Sequence, residues 1–211
     1  MAYDLEEQEQ IDAIKAWWNQ YGNLVMLAAI ACLITIGAFQ GWRYYRVQQA
    51  ERAATLFSQL DQAERNNEAK RVRDIAAQII DKYSATPYAA MAALAAAKAS
   101  YTTGEMEEAK KNLQWAADKA KQDEMRDVSR LRLAGVLLDE KKYDEALKLL
   151  STKTTDTYAP LYADLRGDVL AEQGKAPDAR AAYQLALEKI DANSPYRRVI
   201  EVKLDALGEA K

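Results

Sequence analysis

Few residues in this chain could carry chemistry, and they are scattered. The stretch "LDEKKYDEA" brings Asp139, Glu140, Asp144 and Glu145 close together, a combination that could act as an acid–base pair or a metal site. They fall across a helix–turn–helix junction, where solvated charge is the plainer role. Histidine is absent, and the single cysteine, Cys32, sits in an apolar run. The part of the chain after that run therefore lacks the usual zinc ligands, a histidine base, a cysteine nucleophile and any disulfide framework. Serines and lysines are present, but nothing sets up an activated Ser–Lys pair. The phosphate-loop, dinucleotide, nucleophile-elbow and zinc-protease patterns do not occur. Arg166, between Asp164 and Asp168, is expected to form a local ion pair. No catalytic residue, cofactor or metal is expected, and the chain reads as an interaction protein.

What must position such a protein is legible in "NLVMLAAIACLITIGAF". From Leu24 to Phe39 the only polar residue is Thr35, and from Gly22 to Trp42 there is no charge. As a helix that charge-free stretch spans about 31 Å, close to the hydrocarbon thickness of a bilayer. Trp17, Trp18 and Tyr21 precede it and Trp42, Tyr44 and Tyr45 follow it, as expected of rings at the two headgroup layers. A cleaved signal fits badly, because Asp4, Glu6, Glu7, Glu9 and Asp12 precede the run against one Lys15. Cys32 is not a lipidation site either, since Leu33-Ile34-Thr35-Ile36 continues the apolar run beyond it. The expected organisation is an acidic tail over 1–22, an uncleaved transmembrane helix over 23–42, and a soluble domain over 47–211. The acidic tail is read as a disordered or amphipathic lead-in to the anchor.

The soluble domain carries 26 basic and 27 acidic residues, mixed along its length, so it lacks the basic footprint of a nucleic-acid binder. Helix formers dominate and no alternating β-branched run occurs, which makes the fold class all-α. The segments 103–120, 141–150 and 173–190 each give a turn, a small residue, and a large apolar residue four positions later. Those pairs are Ala109/Leu113, Ala146/Leu150 and Ala179/Tyr183, with Ala76/Ile80 read as an earlier copy. Twelve residues upstream of the last three alanines stand Ala97, Ala134 and Gly167, whereas the first copy has Glu64 there. Such a pattern resembles the tetratricopeptide repeat, an antiparallel helix pair of 34 residues. Helix pairs are expected at about 50–86, 87–123, 127–159 and 160–193. A capping helix is expected at 195–208, with Val199, Val202, Leu204 and Leu207 mostly inward.

Two stretches carry a more specific resemblance: "GWRYY" at the end of the span and "ADLRGD", followed by Gly174-Lys175, Ala179-Arg180 and Tyr183. With the acidic N-terminus they make the chain similar to the YfgM family, nearly end to end. That resemblance implies an inner-membrane, single-pass protein with a cytoplasmic N-terminus and a periplasmic repeat domain. It further implies an ancillary subunit of the SecYEG translocon, working with the periplasmic chaperone PpiD near emerging secreted client chains. Charge argues the other way: Arg43, Arg46 and Arg52 flank the span on its C-terminal side, against Lys15 on the other. That rule weakens for long translocated domains. The competing function is a membrane-tethered regulatory scaffold that faces the cytosol and sequesters a signalling protein.

In a tetratricopeptide array the first helix of each pair lines the concave face, where extended or helical peptides bind. The repeat register places Met91, Leu94, Lys98 and Tyr101 there, then Leu131 and Leu138, then Asp164 and Asp168. Adaptable apolar side chains with a few charges suit broad binding of a partner segment or unfolded chain.

Overall fold

The computed structural model describes the backbone of residues 2–208 and the side chains of residues 9–208. Met1, residues 209–211 and the side chains of residues 2–8, among them Asp4, Glu6 and Glu7 of the acidic lead-in, lie outside the described residues. Helices are the only regular elements among the described residues: α1 (Ala2–Arg65), α2 (Ala69–Lys82), α3 (Pro87–Thr102), α4 (Met106–Lys119), α5 (Asp123–Asp139), α6 (Tyr143–Leu150), α7 (Ala159–Glu172), α8 (Ala176–Lys189) and α9 (Arg197–Ala206). The chain divides into two units, Met1–Gln48 and Gln49–Lys211, with α1 beginning in the first and ending in the second.

In the first unit the apolar residues of α1 point outward all round. Leu24, Leu27, Leu33 and Ile34 are each about two-thirds or more exposed, which suits a hydrocarbon surround and not water. Thr35 Oγ1 donates to the carbonyl of Ala31 at 2.8 Å, so the one hydroxyl in the run is satisfied within the helix. The aromatic belts are in place. Trp17 packs against Trp18 and Tyr21 at one end, and the Arg46 guanidinium lies 4.8 Å from the Trp42 ring at the other. Among the described residues this helix alone is long and apolar enough to cross a membrane.

The second unit is built on four equivalent turns. Asn67, Gly104, Lys141 and Gly174 all take positive φ, between 57° and 79°. After each, the next amide donates five residues back: Glu68 to Ala63, Glu105 to Ser100, Lys142 to Leu137 and Lys175 to Leu170, at 2.8–2.9 Å. These are Schellman closures, which satisfy the last carbonyls of one helix and reverse the chain into the next. The turns also fix the register. Seven residues before each stand Leu60, Ala97, Ala134 and Gly167, all buried; five after stand Val72, Ala109, Ala146 and Ala179, all 0–1% exposed.

This corrects the first copy expected from sequence. Ala76 is the counterpart of Leu113, Leu150 and Tyr183, one helical turn later than assumed, and Leu60 takes the place assigned to Glu64. The reason is an exchange of sizes. The first crossing uses Leu60 and Val72 where the others use small residues, and small Ala76 stands where they place a large one. A search keyed on small residues therefore slips by four.

Successive pairs stack through three core clusters. Leu60, Val72, Ile75 and Ile79 centre the first, Leu113, Leu133 and Leu137 the second, and Tyr183 and Ile200 the third. α3 is buried on most sides because its alanines let neighbours approach: Ala89, Ala92, Ala93 and Ala96 are nearly inaccessible. The α6–α7 loop is held by Asp127, buried on α5, which accepts from the Thr155 amide at 2.8 Å and its hydroxyl at 2.9 Å. The Tyr162 hydroxyl donates to the Asp127 carbonyl at 3.0 Å, and burial pushes that phenol up to about 12.

α9 closes the array, but not with the expected face. Ile200 is fully buried and Leu204 and Leu207 pack beside it, whereas Val199 is 44% and Val202 56% exposed. The seam runs through positions 200, 203, 204 and 207, which is the helical spacing. Lys203 therefore points inward where a valine had been expected. Burying Ile200 contributes about 2–3 kcal/mol to holding the cap.

Candidate partner-binding groove

α3 and α5 are the first helices of neighbouring pairs, and helical spacing decides which of their side chains face each other. α3 offers Leu94, Lys98 and Tyr101; α5 offers Arg132, Gly135, Val136 and Asp139. Together they line a groove of about 420 Å³. Its floor is apolar: Ala97 and Leu113 are each 3% exposed and Val136 6%. At Gly135 an added Cβ would meet nothing within 4 Å, so the glycine leaves open space above the floor.

The polar groups at the edges are in different states. Tyr101 donates its hydroxyl to Asp139 Oδ2 at 2.8 Å, joining the C-terminal ends of α3 and α5, and that bond holds the phenol above its ordinary range. Lys98 Nζ is 3.1 Å from Glu64 Oε1 and so is tied to the preceding pair. Arg132 is exposed, and among the described residues it makes no ion pair. Beyond Asp139 a second cavity of about 540 Å³ continues along Leu138, Tyr143, Asp168, Tyr183 and Lys203.

The residues expected on this face meet different fates. Leu94, Lys98 and Tyr101 come together in the groove. Met91 is exposed on α3 outside it, while Leu131 and Leu138 are partly buried against the second core cluster, Leu138 also reaching the second cavity. Asp164 turns inward, 2% exposed, accepting from Tyr196 Oη at 2.7 Å and from Lys203 Nζ at 2.8 and 3.0 Å. Asp168 accepts from the same ammonium and from Tyr183 Oη, both at 2.8 Å.

Burial dominates the electrostatics of that cluster. It raises Asp168 above the usual carboxylate range, against the lowering bonds from Lys203 and Tyr183. Burial and then the carboxylate bonds push Tyr183 and Tyr196 upward. For Lys203, burial pulls down but the bonds to Asp164 and Asp168 outweigh it, and the ammonium is raised. Arg166 was expected to pair with these aspartates; instead both turn to Lys203, on α9, and Arg166 stays exposed. A residue far along the chain wins because α9 packs over that face and its ammonium can touch both carboxylates at once.

In the acidic stretch Asp139 and Glu140 are held by neighbours, while Asp144 and Glu145 lie exposed. Glu140 binds Lys110 at 2.8 Å and Lys142 at 2.9 Å, and those bonds lower its carboxyl. Among the described residues no group of three or more metal-capable side chains is assembled.

Sequence reasoning missed Arg132, Gly135, Val136 and Asp139. The signal was present in the register, since the 37 residues separating Gly104 from Lys141 carry Lys98 onto Gly135. A glycine at a surface position of a first helix has no packing reason and could have been flagged.

A family model described as a tetratricopeptide repeat-like domain matches residues 15–209. Along its length the chain is similar to proteins named ancillary SecYEG translocon subunit. It is 32% identical to that of Neisseria gonorrhoeae, over 98% of this chain and 100% of the relative. To that of Escherichia coli it is 29% identical, over 95% and 96%, and to that of Haemophilus influenzae 28%, over 88% and 91%.

Proposed function

The chain belongs to the YfgM family of ancillary SecYEG translocon subunits, and on that premise we propose that it is a non-enzymatic, membrane-anchored subunit of the translocon. The observation that carries this is the extent of the similarity: 98% of this chain against the whole of one relative, which takes in both the apolar helix and the repeats. In this reading the span of 23–42 docks to the translocon, while the first-helix face of the repeats holds a partner segment through Leu94, Lys98 and Tyr101, with Met91, Leu131 and Leu138 beside them. Asp164 supports that face from below by holding Lys203, and Asp168 borders its second cavity. The partner that the family resemblance implies is the periplasmic chaperone PpiD, and the clients are secreted chains. The anchor then lies in the inner membrane, with the N-terminus cytoplasmic and the repeats periplasmic.

Copurification from native membranes tests docking. The intact chain should bring SecYEG with it, and a variant whose residues 23–42 are replaced by an unrelated apolar span should not. Recovery of SecYEG by both variants would move docking away from the span.

One observation favours the second reading, a cytosol-facing scaffold. Arg43 and Arg46 are both exposed beside the C-terminal end of the span, where cytoplasmic flanks collect positive charge. A reporter active only in the periplasm, fused after Lys211, separates the two: activity supports the translocon reading, and silence beside an active cytoplasmic reporter supports the scaffold.

A further inference from the structure

We infer that the α3–α5 groove is selective for a polypeptide segment carrying a large apolar side chain with a carboxylate close to it. This rests on the reading of the chain as an interaction protein and adds the chemistry of what it holds. The apolar side chain lies over Gly135, where there is room for it, on the floor made by Leu94, Ala97, Leu113 and Val136. The carboxylate meets Arg132, one helical turn before Gly135 and Val136 on the same wall. Of the two basic residues that line the groove, Lys98 is paired with Glu64, while Arg132 makes no ion pair among the described residues and is the cation left for it. A guanidinium suits the task because it binds a carboxylate through two parallel N–H donors and stacks over apolar surface.

The other end of the groove sharpens the preference. Asp139, held by Tyr101, makes a second acid beyond the apolar anchor unfavourable, so the favoured segment is acidic on one side only. A polyanion such as nucleic acid would meet Asp139 and is disfavoured. A second cavity adjoins the groove at Asp139, which lines both. Two adjoining depressions along one face fit an extended chain better than a compact small molecule.

The test uses the full chain in nanodiscs and two fluorescent peptides in a Gly-Ser host, one containing Asp-Ala-Phe and its twin Lys-Ala-Phe. Anisotropy should show the acidic peptide binding about tenfold more tightly, the scale of one charge-assisted contact. Arg132→Ala should bring the twins to parity, and Arg132→Glu should reverse their order. Gly135→Leu should abolish binding of both without lowering the melting temperature, since its side chain enters open space and helix propensity favours it over glycine. Equal binding of the twins to the intact chain, or unchanged binding to Gly135→Leu, overturns the inference. Copurification of SecYEG with each variant is read alongside. Retained SecYEG with no peptide preference sinks only the groove chemistry, whereas an intact chain that fails to bring SecYEG sinks the functional reading beneath it.

Discussion

Two glycines on first helices of the repeat array face opposite circumstances. At Gly167 an added Cβ would lie 2.4 Å from the Tyr183 ring, so the glycine exists to let α7 and α8 close. At Gly135 the same atom would meet nothing within 4 Å. The charges around them differ in the same sense. Near Gly167, Asp164, Asp168 and Lys203 saturate one another with two tyrosines, and the cluster locks α9 onto the array. Near Gly135, Arg132 remains exposed while Asp139 answers only to a tyrosine at the rim. The charges packed around Gly167 are paired with one another, whereas Arg132 beside Gly135 makes no ion pair among the described residues.

Breaking the locked end should give the largest effect. Lys203→Met leaves Asp164 and Asp168 without their counter-charge in a mostly buried site, and the domain should lose about 3 kcal/mol. Chemical denaturation checks this, and an unchanged midpoint would mean that the cluster is solvated. Gly167→Ala comes next. Helix propensity favours alanine by about 0.8–1 kcal/mol. The clash with a ring whose hydroxyl is anchored on Asp168 at 2.8 Å should outweigh that gain and leave a net loss of about 1–2 kcal/mol. The matched change Gly135→Ala should act in reverse, stabilising by about 0.5–1 kcal/mol because only propensity changes. Melting curves of the two variants, run side by side, read the comparison in opposite signs.

Alkali should separate the ends more gently. The folded-state values of Lys203, Tyr183 and Tyr196 are raised above 10.5, 10.0 and 10.0. Groups raised in this way contribute stability that is full below the unfolded value and is lost as pH rises through the folded one. The cap should therefore hold through neutral pH and loosen above about pH 10, with exchange of α9 amides accelerating before those of α3.

Much of this fold was legible because it repeats. Ala109, Ala146 and Ala179 announce tight crossings, and they are the buried packing points that their spacing implied. Legibility failed where size or distance broke the pattern. The first pair inverts large and small at Leu60, Val72 and Ala76, so its register slipped by a turn. Sequence spacing makes Arg166 the natural partner of Asp164 and Asp168, yet Lys203, on another helix, reaches them both. Half of the groove was readable from α3, where Leu94, Lys98 and Tyr101 differ visibly from the alanines around them. The α5 half went unread although the register carries Lys98 onto Gly135, because its key feature is a missing side chain, and a helix glycine reads first as a close-packing point, as Gly167 is.

The claim that the middle of the array is kept open for a partner can be tested from beside the groove. A photoreactive phenylalanine analogue in place of Met91, exposed on α3 one helical turn before Leu94, should form protein adducts on irradiation of the full chain in native membranes. The same analogue at Gln184, exposed on a second helix, is the control. Adducts from position 91 that disappear in excess Asp-Ala-Phe peptide, persist in the lysine twin and are lost when Gly135→Leu fills the groove, with none from position 184, are the expected result. Equal adducts from both positions, or adducts at 91 that neither peptide displaces, would contradict it.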